Sequence, residues 1–127
     1  MLLAEQERGR ALFADPDGEA AQRFFSLPDE HEARVEAQAS FIWSQACTGK
    51  FVWPIPDRGL RKHIHRLGMP TLIIWGSDDG IVAPAYAQEF GARIAGSRTE
   101  LIDRAGHLPH LEQPERVAQL VRDFVQP

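Results

Sequence analysis

Two residue types that cooperate in acid–base chemistry, a carboxylate and an imidazole, follow two apolar runs late in the chain. Asp79 follows residues 71–75, and His107 follows residues 100–102, with room between them for one helix and one strand. Loops at the carboxyl ends of parallel strands converge on one edge of a sheet. A carboxylate there can hold an imidazole by its ring N–H, which fixes the tautomer and stabilises the imidazolium. The alternatives are a turn carboxylate before Gly80 and a loop histidine bonded locally.

The residues that must position this pair alternate between strand and helix signals from about residue 67 onward. Residues 71–75 and 99–102 are predicted strands. Pro84 opens a predicted helix that Gly96 ends, and Pro114 stands at the predicted first position of the last helix. The two helices have apolar stripes at helical spacing, formed by Tyr86, Phe90 and Ile94 and by Val117, Leu120, Val121 and Phe124. This order predicts a parallel strand–helix–strand unit of an α/β fold.

Residues 1–66 have a different character, charged and mostly helical in pattern. Helices are predicted over residues 2–13 and 19–25. A third is predicted to begin after Asp29 as N-cap and to end near Ala46, with Thr48 and Gly49 closing it. Residues 51–56 are predicted to be extended because of their two prolines. Asp57 is expected to cap a short helix that runs to Leu67.

A sheet of only two parallel strands is marginally stable by itself, because parallel sheets are normally buried on both faces. Residues 72–74 are apolar on both faces, as in an interior strand. The pattern therefore indicates one end of a larger sheet. We expect the chain to be a fragment, half of a split protein, or a subunit that another chain completes.

The motifs together resemble the C-terminal part of an α/β-fold hydrolase of the esterase or meta-cleavage-product hydrolase type. Residues 68–84 resemble the penultimate core strand and acid loop, residues 96–114 the last strand and histidine loop, and residues 117–125 the final helix. The resemblance covers roughly residues 57–125, and residues 1–56 fit the helical cap more loosely. It implies a cap-like region over residues 1–66 and the C-terminal part of the hydrolase core over residues 67–127.

The resemblance also assigns roles to the candidate pair. Asp79 rather than Asp78 matches the acid of the family, since it stands in Gly-x-x-Asp and Val82 follows three residues later. His107 matches the histidine that acts as general base and then as general acid. In this family the triad runs Ser, Asp, His along the chain. No cofactor is implied.

The serine of that triad has no counterpart in the sequence. A nucleophile elbow requires Gly-x-Ser-x-Gly, and this pentapeptide does not occur. We therefore expect hydrolysis of small hydrophobic esters or carbon–carbon bonds only if a nucleophile-bearing N-terminal half completes the chain. That half would supply the serine and both oxyanion-hole N–H groups, and the chain alone would be inactive.

Four aromatic side chains cluster in the cap-like region. They are Phe41, Trp43, Phe51 and Trp53. In the family, cap aromatics line the substrate pocket, so all four are candidate substrate-binding residues. The alternative is that they form the core of the cap.

Other classes of function have little support in the sequence. The 127 residues carry a net charge of −4 with no long basic run, so neither nucleic acid nor an anionic membrane is an expected partner. His107 with His110 and His63 with His65 are too isolated to predict a metal site. The single cysteine, Cys47, and an N-terminus that turns polar after four residues lead us to expect a cytoplasmic protein.

A second hypothesis belongs to another class, a non-catalytic interaction or oligomerisation protein derived from a hydrolase. An exposed strand edge can pair with a second copy or with another protein by strand addition. We therefore expect the chain to associate with a second copy of itself or with a complementing N-terminal half. A Gly-x-Ser-x-Gly motif encoded upstream in frame would favour the hydrolase.

Overall fold

A computed structural model describes residues 5–52 and 59–126, in which helices flank two strands. The elements are α1 (Glu5–Leu12), α2 (Glu19–Phe25), α3 (His31–Val52), α4 (Leu60–His63), a short 3-10 helix (Ile64–Arg66), β1 (Thr71–Gly76), α5 (Ala85–Arg93), β2 (Ser97–Ile102), α6 (Pro109–Glu112) and α7 (Pro114–Val125). Helical regions with two parallel strands are the partial α/β-hydrolase architecture that the sequence predicts.

The chain divides into two compact units. One contains the residues up to Phe24 together with those from Arg61 onward, and the other spans Phe25–Leu60. The helical N-terminal region predicted for residues 1–66 is thus shared between them. Helix α1 belongs to the same unit as both strands, whereas α3 belongs to the other.

The two strands form a parallel pair, as predicted. Their register aligns Thr71 with Ser97 at one end and Gly76 with Ile102 at the other. Both strands therefore end at the same edge, and the loops that follow them begin side by side. Within residues 5–52 and 59–126 the sheet contains only β1 and β2.

Alternation along β1 explains why this strand is apolar on both faces. Leu72 and Ile74 pack against a core formed by Ile102, Ala105 and Leu120, which are almost completely buried. On the opposite face, the indole of Trp75 lies 6.1 Å from the ring of Phe90 in α5. The amphipathic stripe of α7 thus covers one face of the sheet, and α5 covers the other.

The third helix is longer than predicted. It continues to Val52, so the extended conformation predicted for Phe51 and Val52 is wrong. Proline restricts only the residue immediately before it, and Gly49 weakens a helix without ending it. The cap is also different, because the carboxylate of Glu30 accepts hydrogen bonds from the N–H groups of Glu32 and Ala33.

Two smaller boundaries differ in the described part of the chain. Helix α5 ends at Arg93, before Gly96, which adopts φ +72° in the turn to β2. The helix predicted to end at Leu67 consists of one α-turn, Leu60–His63, and a 3-10 turn, and its predicted cap, Asp57, lies outside the described residues. Neither difference moves the strands.

No helix in residues 5–52 and 59–126 combines the length and the apolar character that crossing a membrane requires. The longest of these helices, α3, carries Glu32, Arg34 and Glu36 near its start and Lys50 near its end.

Candidate functional site

Asp79 lies in the loop that follows β1, and backbone N–H groups of the same loop hold its carboxylate. Its Oδ1 atom accepts hydrogen bonds from the N–H groups of Ile81 at 2.8 Å and Val82 at 2.9 Å. Only 4% of the Asp79 side chain is exposed. The local sequence therefore folds into a turn that fixes the carboxylate and leaves its second oxygen, Oδ2, for another donor.

That donor is the imidazole of His107. Its Nδ1 atom lies 2.9 Å from Asp79 Oδ2, and we assign the proton to Nδ1 because a carboxylate accepts. The predicted juxtaposition of the two side chains at the carboxyl ends of adjacent parallel strands is confirmed. The His107 side chain is 36% exposed, so the ring is held at one side and accessible at another.

A small cavity of about 160 Å³ lies beside this pair. It is lined by Ile74, Trp75, Gly76, Asp79, His107 and Pro109. The cavity thus lies at the carboxyl end of β1, next to both members of the pair.

Direct hydrogen bonds join the two loops that carry the pair. Ser77 N–H donates to the Ile102 carbonyl, and Asp78 N–H donates to the Ala105 carbonyl, each at 2.9 Å. Ser77 Oγ in turn accepts from Arg104 N–H at 3.0 Å. These bonds continue the ladder of the sheet past the strand ends, so the separation of the two loops is set by backbone geometry.

The two loops also approach too closely for larger residues. A Cβ atom at Gly76 would overlap the carbonyl oxygens of Ala105 and Gly106. Glycine at position 76 is therefore required by the close approach of the histidine loop to the end of β1.

Hydrogen bonding outweighs burial in setting the acidity of Asp79. Burial raises the pKa of this carboxyl, but the bonds from Val82 N–H, the His107 ring and Ile81 N–H lower it, and the net pKa lies below the ordinary aspartate value. Asp79 is therefore ionised at neutral pH, which is the state that holds a histidine ring by its N–H.

The lowered pKa of Asp79 predicts how stability depends on pH. A carboxyl with a depressed folded-state pKa stabilises the fold above its unfolded pKa of about 4, and that stabilisation is lost as the pH falls through the folded value. We expect the difference in unfolding free energy between the native chain and Asp79→Asn to shrink below about pH 4. Urea unfolding between pH 7 and pH 2.5 measures it.

The matched control for this measurement is Asp78→Asn. Asp78 is exposed, and its carboxylate accepts a hydrogen bond from the hydroxyl of the neighbouring Ser77. A pH dependence that is equally reduced in both variants would contradict a specific contribution from Asp79.

The positions of the four aromatic candidates do not test their predicted role in substrate binding. Trp43 and Phe51 expose 73% and 79% of their surfaces, and Phe41 exposes 40%. All three lie on α3, and Trp53 lies outside the described residues. Their assignment as substrate-binding residues stays a prediction.

The histidines are not assembled into a metal site in the described part of the chain. No group of three or more His, Cys, Asp or Glu side chains is arranged to hold an ion there. His110 is exposed in the short helix α6. The expectation of no metal and no cofactor stays a prediction.

Glu112 has a role that the sequence pattern did not suggest. Its carboxylate accepts hydrogen bonds from Ala14 N–H and Gly106 N–H. One bond spans 98 positions, so only the tertiary structure reveals it.

Comparison with known proteins places the chain among hydrolases. A sequence model described as "Alpha/beta hydrolase family" matches residues 2–120. The chain is similar to a pimeloyl-[acyl-carrier protein] methyl ester esterase of Neisseria meningitidis serogroup B, at 33% identity over 71 residues, which is 55% of this chain and 28% of that protein.

Solved structures agree with this placement. An esterase from Exiguobacterium antarcticum superposes with a TM-score of 0.67 at 24% identity, over 97% of this chain and 42% of the esterase. A variant of the meta-cleavage product hydrolase CumD superposes with a TM-score of 0.56 at 26% identity, over 72% of this chain and 36% of the hydrolase. The chain therefore spans less than half the length of each of these three proteins.

Proposed function

Because this chain belongs to the alpha/beta hydrolase family, we propose that Asp79 and His107 are the acid and the general base of a hydrolytic triad. The observation that carries the proposal is the 2.9 Å contact between His107 Nδ1 and Asp79 Oδ2, with Oδ1 of the same carboxylate bonded to two N–H groups. A carboxylate anchored in this way holds the imidazole in one tautomer, with the Nε2 lone pair available to accept a proton.

The chemistry requires a serine from an N-terminal half. Its hydroxyl oxygen attacks the carbonyl carbon of the substrate while the hydroxyl proton moves to His107 Nε2. The same proton then passes to the leaving group, and water repeats the sequence to release the acid. The oxyanion donors also belong to the N-terminal half in this proposal, so this chain contributes the imidazole of His107, which transfers the proton, and the carboxylate of Asp79, which orients it.

The proposed substrates are small hydrophobic esters. The Neisseria relative is named for a methyl ester, which supports an ester as the substrate class. Cleavage of a carbon–carbon bond is the second candidate within the same triad. The aromatic side chains Phe41, Trp43, Phe51 and Trp53 are proposed to contact the apolar part of the substrate.

The deciding experiment compares the chain alone with a completed protein. The completed protein is this chain preceded by a nucleophile-bearing N-terminal half, taken from in-frame upstream sequence or from the Neisseria relative. We expect no hydrolysis of a p-nitrophenyl ester above buffer by the chain alone, because nucleophile and oxyanion donors are both absent, and turnover by the completed protein. Turnover by the chain alone that disappears in His107→Ala would refute the requirement for an outside serine.

The alternative proposal is an interaction protein that uses its strand edge. In the described residues β1 pairs only with β2, and its backbone would accept a further strand. We propose that the isolated chain self-associates for this reason, in the cytoplasm that its single cysteine suits. Sedimentation measured at several concentrations in the micromolar range tests this self-association. A monomer that unfolds cooperatively would contradict it.

A further inference from the structure

The carboxylate of Glu112 joins two distant parts of the chain beside the candidate site. Oε1 accepts from Ala14 N–H at 2.8 Å, and Oε2 accepts from Gly106 N–H at 2.6 Å. Gly106 is the residue before His107. Hydrogen bonds to an ionised acceptor are shorter and stronger than those between neutral groups, so this bridge is a firm attachment of the histidine loop.

The next amide along the loop is attached to the same N-terminal segment. His107 N–H donates to the carbonyl oxygen of Leu12 at 2.8 Å. Two consecutive amides, those of Gly106 and His107, are thus bonded to groups outside the loop, one to a side chain and one to the backbone. The loop contributes only the imidazole to the contact with Asp79.

Close packing leaves the loop little freedom on that side. A Cβ atom at Gly106 would lie 2.6 Å from the Leu12 carbonyl oxygen and 2.8 Å from the Ala14 nitrogen. The same segment reaches the acid loop, because a Cβ atom at Gly80 would lie 2.9 Å from the Ala11 carbonyl oxygen. Residues 11–14 therefore contact the loops of both members of the pair, and Glu112 fastens them to the histidine loop.

We propose that Glu112 is a positioning residue that holds the Gly106–His107 backbone where the imidazole reaches Asp79. A hydrogen bond of 2.9 Å between Nδ1 and Oδ2 does not survive a displacement of about 1 Å in the histidine backbone. The geometric part of this inference stands by itself, whereas its consequence for turnover rests on the proposed function.

Substitutions at Glu112 can remove one or both of its two acceptor oxygens. Glu112→Gln keeps one acceptor oxygen but presents an NH₂ group to the other N–H, so one attachment is lost. Glu112→Ala removes both. Glu115→Gln is the matched control, because Glu115 is exposed and lies near Glu112 in sequence, in the first turn of α7.

Nuclear magnetic resonance on the whole ¹⁵N-labelled chain tests the proposal without any turnover. The ring nitrogen shifts of His107 report the tautomer, and hydrogen exchange reports the amides of Gly106 and His107. We expect exchange of the Gly106 amide to accelerate about ten-fold in Glu112→Gln and further in Glu112→Ala. The Nδ1–H tautomer of His107 should lose its dominance in the same order, while Glu115→Gln changes neither quantity more than two-fold.

Thermal unfolding of each variant separates positioning from general stability. An unchanged His107 tautomer in both Glu112 variants overturns the proposal, even if their melting temperatures fall. Loss of the folded state in both variants also overturns it, because Glu112 would then hold the fold rather than the loop. A shifted tautomer in a Glu112→Gln chain that remains folded supports it.

Kinetics of the completed protein give an independent readout. Glu112→Gln should lower kcat for the ester by about a hundred-fold with KM little changed, because a misplaced base affects the chemical step. If the unsubstituted completed protein is inactive, the proposed function fails, and the tautomer measurement still decides the role of Glu112.

Discussion

His107→Ala in the completed protein is expected to lower kcat for p-nitrophenyl ester hydrolysis by about a million-fold. In the proposed triad the imidazole takes the proton from the serine hydroxyl and returns it to the leaving group, so its removal would disable both half-reactions. KM should change little, because the proposed role of the ring is proton transfer in the chemical step. Pre-steady-state and steady-state kinetics with the same ester measure the effect.

His110→Ala is the matched control for this substitution. His110 is three positions along the chain, is exposed, and lies in α6 rather than at the strand ends. We expect it to retain kcat within about two-fold, as for a surface substitution away from special features. If both variants lose activity equally, or if neither does, His107 is not the general base, and the proton acceptor must be sought elsewhere.

Asp79→Asn is expected to lower kcat by about ten thousand-fold. The amide oxygen of asparagine replaces Oδ1 and continues to accept from Ile81 and Val82, which places the amide NH₂ group opposite His107. The NH₂ group donates, so Nδ1 must become an acceptor and the proton moves to Nε2. The ring is then in the tautomer that cannot accept the serine proton.

The control for the acid is Asp78→Asn, one residue earlier in the same loop. The exposed Asp78 carboxylate accepts from the Ser77 hydroxyl, which an asparagine oxygen can replace. Activity should therefore remain within about two-fold. Ring ¹⁵N shifts of His107 provide the second readout, and an unchanged tautomer in Asp79→Asn would mean that the 2.9 Å contact does not orient the histidine.

Much of the candidate site could be predicted because local rules act on consecutive residues. The apolar run that became β1 and the Gly-x-x-Asp turn after it are encoded in a few adjacent positions. Parallel strands of equal direction bring their carboxyl ends to one edge, so the pairing of Asp79 with His107 follows from the order of the elements. Pro114 at the first turn of α7 is local in the same way.

Less could be predicted for α3, where competing local signals had to be weighed. Gly49 and Thr48 indicated a helix end, but the helix continues to Val52. A glycine in a helix costs about 1 kcal/mol relative to alanine, which hydrogen bonds of the following turn can offset. The residues near Gly49 do not indicate which of these two energies is larger, so the predicted end of α3 was wrong.

The sequence by itself determined the two strands, their order, and the acid and histidine that follow them, because each depends on neighbours close along the chain. Only the tertiary structure decided what holds the histidine loop in place. The bridge from Glu112 to Ala14 spans 98 positions, and the Leu12 carbonyl reaches His107 over a comparable separation. Such contacts leave no periodicity or spacing in the sequence, since they form only when packing of the sheet and its helices brings remote backbone groups within hydrogen-bonding distance.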